Sequence, residues 1–202
     1  RPTRRRFSSF LFHVIRVSRG SNKFLNYVLD RMSRIKNQKP RRKNHSENSS
    51  VKKTRRLVPL LLNWFAANAR DLPWRRTRDP YAIWVSEIML QQTQVKTVIS
   101  FWERWLRELP TIESAANAST DKIHKLWEGL GYYTRVRNLQ KAAQQIVKSG
   151  KRKAESGTIK FPETFADVLA LPGIGRYTPG AICSIAFNQP TPILDGNVIR
   201  VL

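Results

Sequence analysis

From residue 57 onward, apolar side chains recur at three-to-four spacing, with none of the sustained alternation that marks strands. Leu57, Leu60, Leu61, Trp64 and Phe65 form a first stripe, closed by Arg70-Asp71-Leu72-Pro73. Asp79-Pro80 predicts the start of another helix, because aspartate caps free amides and proline suits the first helical position. That helix carries Trp84, Val85, Ile88, Met89 and Leu90, with Glu87 among them. Further helices are predicted over about 93–107, 120–128, 134–149, 163–170 and 176–187. They are separated by Pro110-Thr111, Gly129-Leu130-Gly131, a polar stretch over 150–160, and Pro172-Gly173-Ile174-Gly175. No repeat of fixed period and no strand-helix-strand pattern is present, so the domain is read as all-α, with six or more short helices.

Residues 1–56 obey a different rule. They hold 18 of the 37 Lys+Arg and only two acids, Asp30 and Glu47, which gives this segment +16 of the net charge of +23. Such a tract cannot bury enough surface to offset its chain entropy. The expected organisation is a disordered basic arm over 1–56 followed by a folded domain over 57–202. Arg4-Arg5-Arg6, followed by Phe7, Phe10, Leu11, Phe12, Val14, Ile15 and Val17, has the make-up of an organellar transit peptide. The apolar stretch is too short and too interrupted to span a bilayer, and no membrane partner is expected. The basic clusters at 39–43 and 52–56 fit a nuclear address, so nucleus and mitochondrion (or plastid) are the expected destinations. The plainer alternative is a solvated arm that touches nucleic acid non-specifically. The chain starts at Arg1 and stops at Leu202 within an apolar run, so both ends are expected to be internal to a longer protein.

Composition narrows the chemistry. One cysteine, Cys183, excludes a disulfide framework and any metal site built from several thiolates within these residues. Leu171-Pro172-Gly173-Ile174-Gly175 lies between two helical stretches, and glycines two apart make a tight turn that can expose successive N–H groups to a DNA phosphate. A plain helix-turn-helix corner would use the same residues. Glu87 is an acid inside a mostly apolar helix; periodicity favours an exposed polar face, the other option being a pocket in which it acts as a general acid. Asp195, in Ile193-Leu194-Asp195-Gly196-Asn197, reads by itself as a helix N-cap. Two carboxylates on separate elements are also what hydrolysis of a glycosidic bond requires.

Six runs in one order make a family resemblance specific: Arg70 to Arg75, Trp84 to Val95, Leu126 to Tyr133, Arg137 to Leu139, Leu171 to Gly175, and Ile193 to Val198. Residues 60–202 resemble the catalytic domain of the MutY-type adenine DNA glycosylases, in the helix-hairpin-helix superfamily that includes endonuclease III. The resemblance implies a six-helix barrel, incomplete at its C-terminal end. It also implies a monomer that acts on double-stranded DNA and removes flipped-out adenine mispaired with 8-oxoguanine or guanine. By this likeness Glu87 protonates the adenine and Asp195 stabilises the cationic sugar, with Tyr177 and Asn197 at the same site. Tyr177 stands where bifunctional relatives carry a Schiff-base lysine, and a phenol cannot form that imine, so little strand nicking is expected. Gln92 and Tyr132 match residues that wedge into the duplex, with Leu130 beside them. Arg70, Trp74 and Arg75 match the adenine pocket, and Gly173 and Gly175 the phosphate cradle.

Two features of the family would lie beyond Leu202: a four-cysteine loop holding a 4Fe-4S cluster, and a domain that recognises 8-oxoguanine. The cluster is therefore expected in the full-length protein, with no metal ligands in this chain. The stripe from Leu57 to Phe65 is expected to be left exposed, and these 202 residues to be weak or inactive alone. Two other functions fit the same residues. One is a sister glycosylase that removes mispaired thymine or uracil; the other is a non-catalytic DNA-binding remnant, against which two intact carboxylates argue.

Overall fold

The computed structural model describes residues 49–153, 159–191 and 193, with side chains over 58–150, 159–191 and at 193. Of the arm expected over 1–56, residues 1–48 lie outside the described residues, as do Asp195 and Asn197, whereas 49–56 are helical. The described residues divide into two compact units, one within 71–194 and the other over 49–70. Among the described residues every regular element is helical, and no helix there is long and apolar enough to cross a membrane.

In the unit that begins the chain, α1 runs over Ser49–Asn68 and contains Pro59. It starts eight residues before the apolar stripe. Phe65 is buried, with Leu61, Leu62 and Ala69 packed against it, whereas Leu60 and Trp64 are 66% and 52% exposed. The side-chain amide of Asn68 donates to the Trp64 carbonyl at 2.7 Å and closes the last turn.

The unit over 71–194 opens with a 3₁₀ turn, Pro73–Arg75. Seven helices follow: α2 Pro80–Met89, α3 Val95–Glu108, α4 Ile112–Asn117, α5 Thr120–Trp127, α6 Thr134–Lys153, α7 Phe165–Leu169 and α8 Tyr177–Ala186. The centre is α2, which packs against the 3₁₀ turn, α3, α6 and α8. Every residue from Tyr81 to Met89 is buried, as expected of a helix that is apolar almost all round.

Asp79 sets its start as the sequence predicts, its carboxylate accepting from Tyr81 N at 3.0 Å and Ala82 N at 3.2 Å. Asp79→Ala is expected to lower folding stability by about 1 kcal/mol, read as a lower urea midpoint at unchanged slope. A midpoint equal to wild type would mean that burial alone fixes the start of α2.

Aromatic residues fill the space around α2. Trp102 Nε1 donates to the Ala82 carbonyl at 2.8 Å, and Trp105 Nε1 to the Tyr81 hydroxyl at 2.9 Å. That hydroxyl donates in turn to the Leu109 carbonyl at 3.0 Å, and burial pushes the phenol's pKa up. Trp105 and Trp127 meet edge to face at 5.8 Å, which ties α3 to α5.

Helix α4 is absent from the predicted series. Its six residues are too few to display a period, yet Thr111 and Ser114 form a reciprocal capping box that starts it. Helix α6 runs to Lys153, beyond the predicted 149.

Candidate active site

Glu87 is 4% exposed, which corrects the polar face favoured by periodicity. The reason is that α2 is covered on all sides, so it has no solvent face on which an acid could stand. A buried carboxyl is held in its place by an interaction, and Glu87 is not without one.

Past Glu87, α2 runs out into a turn over 90–94. There Gln92 adopts φ 57° and is exposed. A second turn, after α5, places Gly129, Gly131 and Tyr132 at φ 102°, 69° and 48°. Tyr132 is 66% exposed. Leu130, expected to share the work of opening the stack, is 6% exposed and points into the protein; Tyr132 is the projecting residue of this turn. Trp127 Nε1 donates to the Gly131 carbonyl at 3.0 Å, and Tyr133 meets His124 edge on at 5.5 Å.

The two turns are joined by Arg135, a residue that sequence reasoning gave no role. Its guanidinium donates to the carbonyls of Ile88, Met89 and Gln91 on one side and of Leu130 and Gly131 on the other. The one local signal was its place in the first turn of α6, where a cation opposes the helix dipole.

The glycine hairpin lies between α7 and α8. Leu171 and Ile174 are buried and anchor it, and Ile174 N donates to the Leu171 carbonyl at 3.2 Å. Gly173, at φ 73°, is pressed against Asn138 of α6, so that a Cβ there would lie 2.6 Å from Asn138 Cβ. A Cβ at Gly175 would meet nothing within 4 Å, leaving its backbone open to approach. Tyr177 is half-buried at the first position of α8 and not without a partner. Trp84 and Ile88 of α2, Gln91 of the turn after it, Arg135 and Asn138 of α6, and Pro172 and Gly173 help line a small cavity of about 160 Å³.

Trp74 is buried and meets Trp102 edge on at 6.0 Å; Arg75 is half-buried beside it in the chain. Arg70 is exposed at the end of the other unit. The unit over 71–194 thus carries Trp74, Arg75, Glu87, Gln92, Leu130, Tyr132, Gly173, Gly175 and Tyr177. Cys183 is buried in α8, its thiol's pKa pushed up by burial. No group of three or more His, Cys, Asp or Glu that could hold a metal occurs among the described residues. With one thiol in the sequence, these residues do not fit a four-thiolate cluster.

A glycine hairpin joining two helices, α7 and α8, of an all-helical unit is the arrangement of the helix-hairpin-helix class. The chain belongs to the HhH-GPD superfamily of base excision DNA repair proteins, which matches residues 85–202. It is 48% identical over 150 residues to an adenine DNA glycosylase of Rattus norvegicus, covering 70% of this chain and 28% of that protein. The chain therefore spans under a third of that relative's length. Among solved structures, a thermostable thymine-DNA glycosylase matches with a TM-score of 0.68 at 28% identity, covering 76% of this chain and 68% of that one. An endonuclease III trapped as a covalent intermediate with DNA matches with a TM-score of 0.63 at 20% identity, covering 74% and 66%, and shares the fold.

Proposed function

We propose that this chain is part of a monofunctional adenine DNA glycosylase that removes adenine mispaired with 8-oxoguanine or guanine. The observation that carries the reading is the burial of Glu87 at the centre of the scaffold, on the helix that leads into the Gln92 turn. The 48% identity to an adenine DNA glycosylase supports adenine as the base.

In this reading the hairpin amides at the start of α8 hold a phosphate, since the first turn of a helix has amides with no intrahelical partner. Gln92 and Tyr132 enter the stack, and the adenine turns out of the duplex. Glu87 passes its proton to N7 as the bond between C1′ and N9 breaks, so the electron pair leaves with a neutral base. By family likeness alone, the roles of stabilising the oxocarbenium-like sugar and of assisting there fall to Asp195 and Asn197. Water adds at C1′ and gives its proton to a carboxylate. Tyr177 forms no imine, so the product is an intact strand with an abasic site. The adenine-pocket role of Arg70, Trp74 and Arg75 rests on family likeness.

The test is single-turnover base release by the full-length protein from duplexes holding A opposite 8-oxoguanine, A opposite G, T opposite G and U opposite G. Adenine release without strand cleavage is the expected result. The likeness to a thymine-DNA glycosylase favours a second reading, and preferential thymine or uracil release would establish it in place of the first. Tight duplex binding with no base released would leave a DNA-binding module. The 202 residues alone are expected to be weak or inactive, and robust adenine release by them would overturn that part.

A further inference from the structure

We propose that Arg135 is a positioning residue that locks the Gln92 and Tyr132 turns in one fixed relation, so that both side chains meet the duplex as a single preformed unit. The inference rests on the reading of Gln92 and Tyr132 as the residues that enter the stack.

The two residues share an uncommon feature. Both project from the surface with left-handed backbone, at φ 57° and 48°, a conformation that non-glycine residues hold only where their surroundings impose it. The group that imposes it is the same in both turns. Arg135 Nη1 donates to the Gln91 carbonyl and Arg135 Nη2 to the Gly131 carbonyl, the latter at 3.2 Å. These carbonyls belong to the peptide units that immediately precede Gln92 and Tyr132, and the plane of that unit is one half of each φ torsion. A single planar guanidinium thus fixes the backbone entering both residues.

Further bonds anchor the fork. Nη1 reaches the carbonyls of Ile88 at 3.1 Å and Met89 at 3.2 Å, and Nη2 that of Leu130 at 2.9 Å. Thr93 Oγ1 lies 3.4 Å from each terminal nitrogen. The guanidinium also sits 5.4 Å from the Trp127 ring and 5.5 Å from that of Tyr132 itself. Helix α2 has no basic residue in its own last turn, so the cation that suits its exposed carbonyls comes from α6. Lysine cannot substitute, because its point charge on a flexible stem lacks the rigid fork that spans two turns.

The experiment uses the full-length protein and a duplex with 2-aminopurine in place of the target adenine opposite 8-oxoguanine; its fluorescence rises on leaving the stack. Arg135→Lys and Arg135→Met are compared with wild type, each also combined with Gln92→Ala and Tyr132→Ala. At saturating protein, both single variants are expected to lower the extrusion equilibrium on the order of tenfold, with helical content by circular dichroism unchanged for Arg135→Lys. In the Gln92→Ala/Tyr132→Ala background, Arg135→Lys is expected to add nothing, since the groups it positions are gone. A wild-type signal from Arg135→Lys, or an equal further loss in that background, would overturn the proposal. Should Arg135→Met fail to fold, Arg135→Lys decides the matter. A wild-type protein that gives no signal at all removes the underlying reading of the site, and this inference with it.

Discussion

Replacing Glu87 with Gln is expected to slow single-turnover adenine release by roughly 10²–10⁴-fold, the usual worth of a positioned general acid. Glutamine keeps the shape of the side chain and its capacity to hydrogen-bond, and removes only the transferable proton. Because Glu87 sits inside α2, packed on every side, an isosteric change is the one substitution that separates chemistry from packing. A smaller side chain would open a cavity in the central helix. The expected profile is therefore a lost chemical step with duplex affinity and thermal midpoint close to wild type. Release at the wild-type rate would end the general-acid assignment. Loss of binding and folding together would make Glu87 a structural residue.

How far such a site can be read from sequence depends on the range of the interactions that build it. Asp79 caps amides two and three residues away, so the start of α2 is legible in the dipeptide Asp79-Pro80. The capping box of Thr111 and Ser114 is equally local, but it heads a helix of six residues, and a single turn and a half carries no period to read. Glu87 illustrates a second kind of limit. A helical pattern assumes one wet face, and α2 has none, so periodicity places its acid on a surface that the fold does not provide. Arg135 is a third case. Its partners on α2 and in the turn that follows lie 44 to 47 residues away, and nothing near position 135 announces them beyond a cation at the wrong end of a helix dipole. The Gln92 and Tyr132 positions came from family likeness alone. Their shared left-handed backbone is a property of the folded turns, held by that distant arginine.

The hairpin offers a paired experiment in which neighbouring glycines are expected to fail in opposite ways. Gly173 combines φ 73° with Asn138 Cβ only 2.6 Å from where its own Cβ would stand. Left-handed backbone costs an alanine roughly 1–2 kcal/mol, and forcing a methyl into a packed contact about 1–3 kcal/mol more. Gly173→Ala is thus expected to lower folding stability by about 2–5 kcal/mol, read by chemical denaturation. Asn138→Ala would remove the contacts with Nδ2 at 2.8 Å and Cγ at 3.0 Å but keep the nearest, with Cβ, so it should restore only part of the loss. Asn138→Gly removes the obstacle, at roughly 1 kcal/mol for glycine within α6. At Gly175 a Cβ meets nothing within 4 Å, so Gly175→Ala should leave the midpoint within about 0.5 kcal/mol of wild type. On the proposed function, the new methyl would occupy space that a phosphate needs to reach the amides at the start of α8. Its expected effect is weaker binding to all duplexes alike, measured by fluorescence anisotropy across salt concentrations. If Gly175→Ala binds as wild type does while Gly173→Ala unfolds as expected, the hairpin is a packing corner and the phosphate contact lies elsewhere.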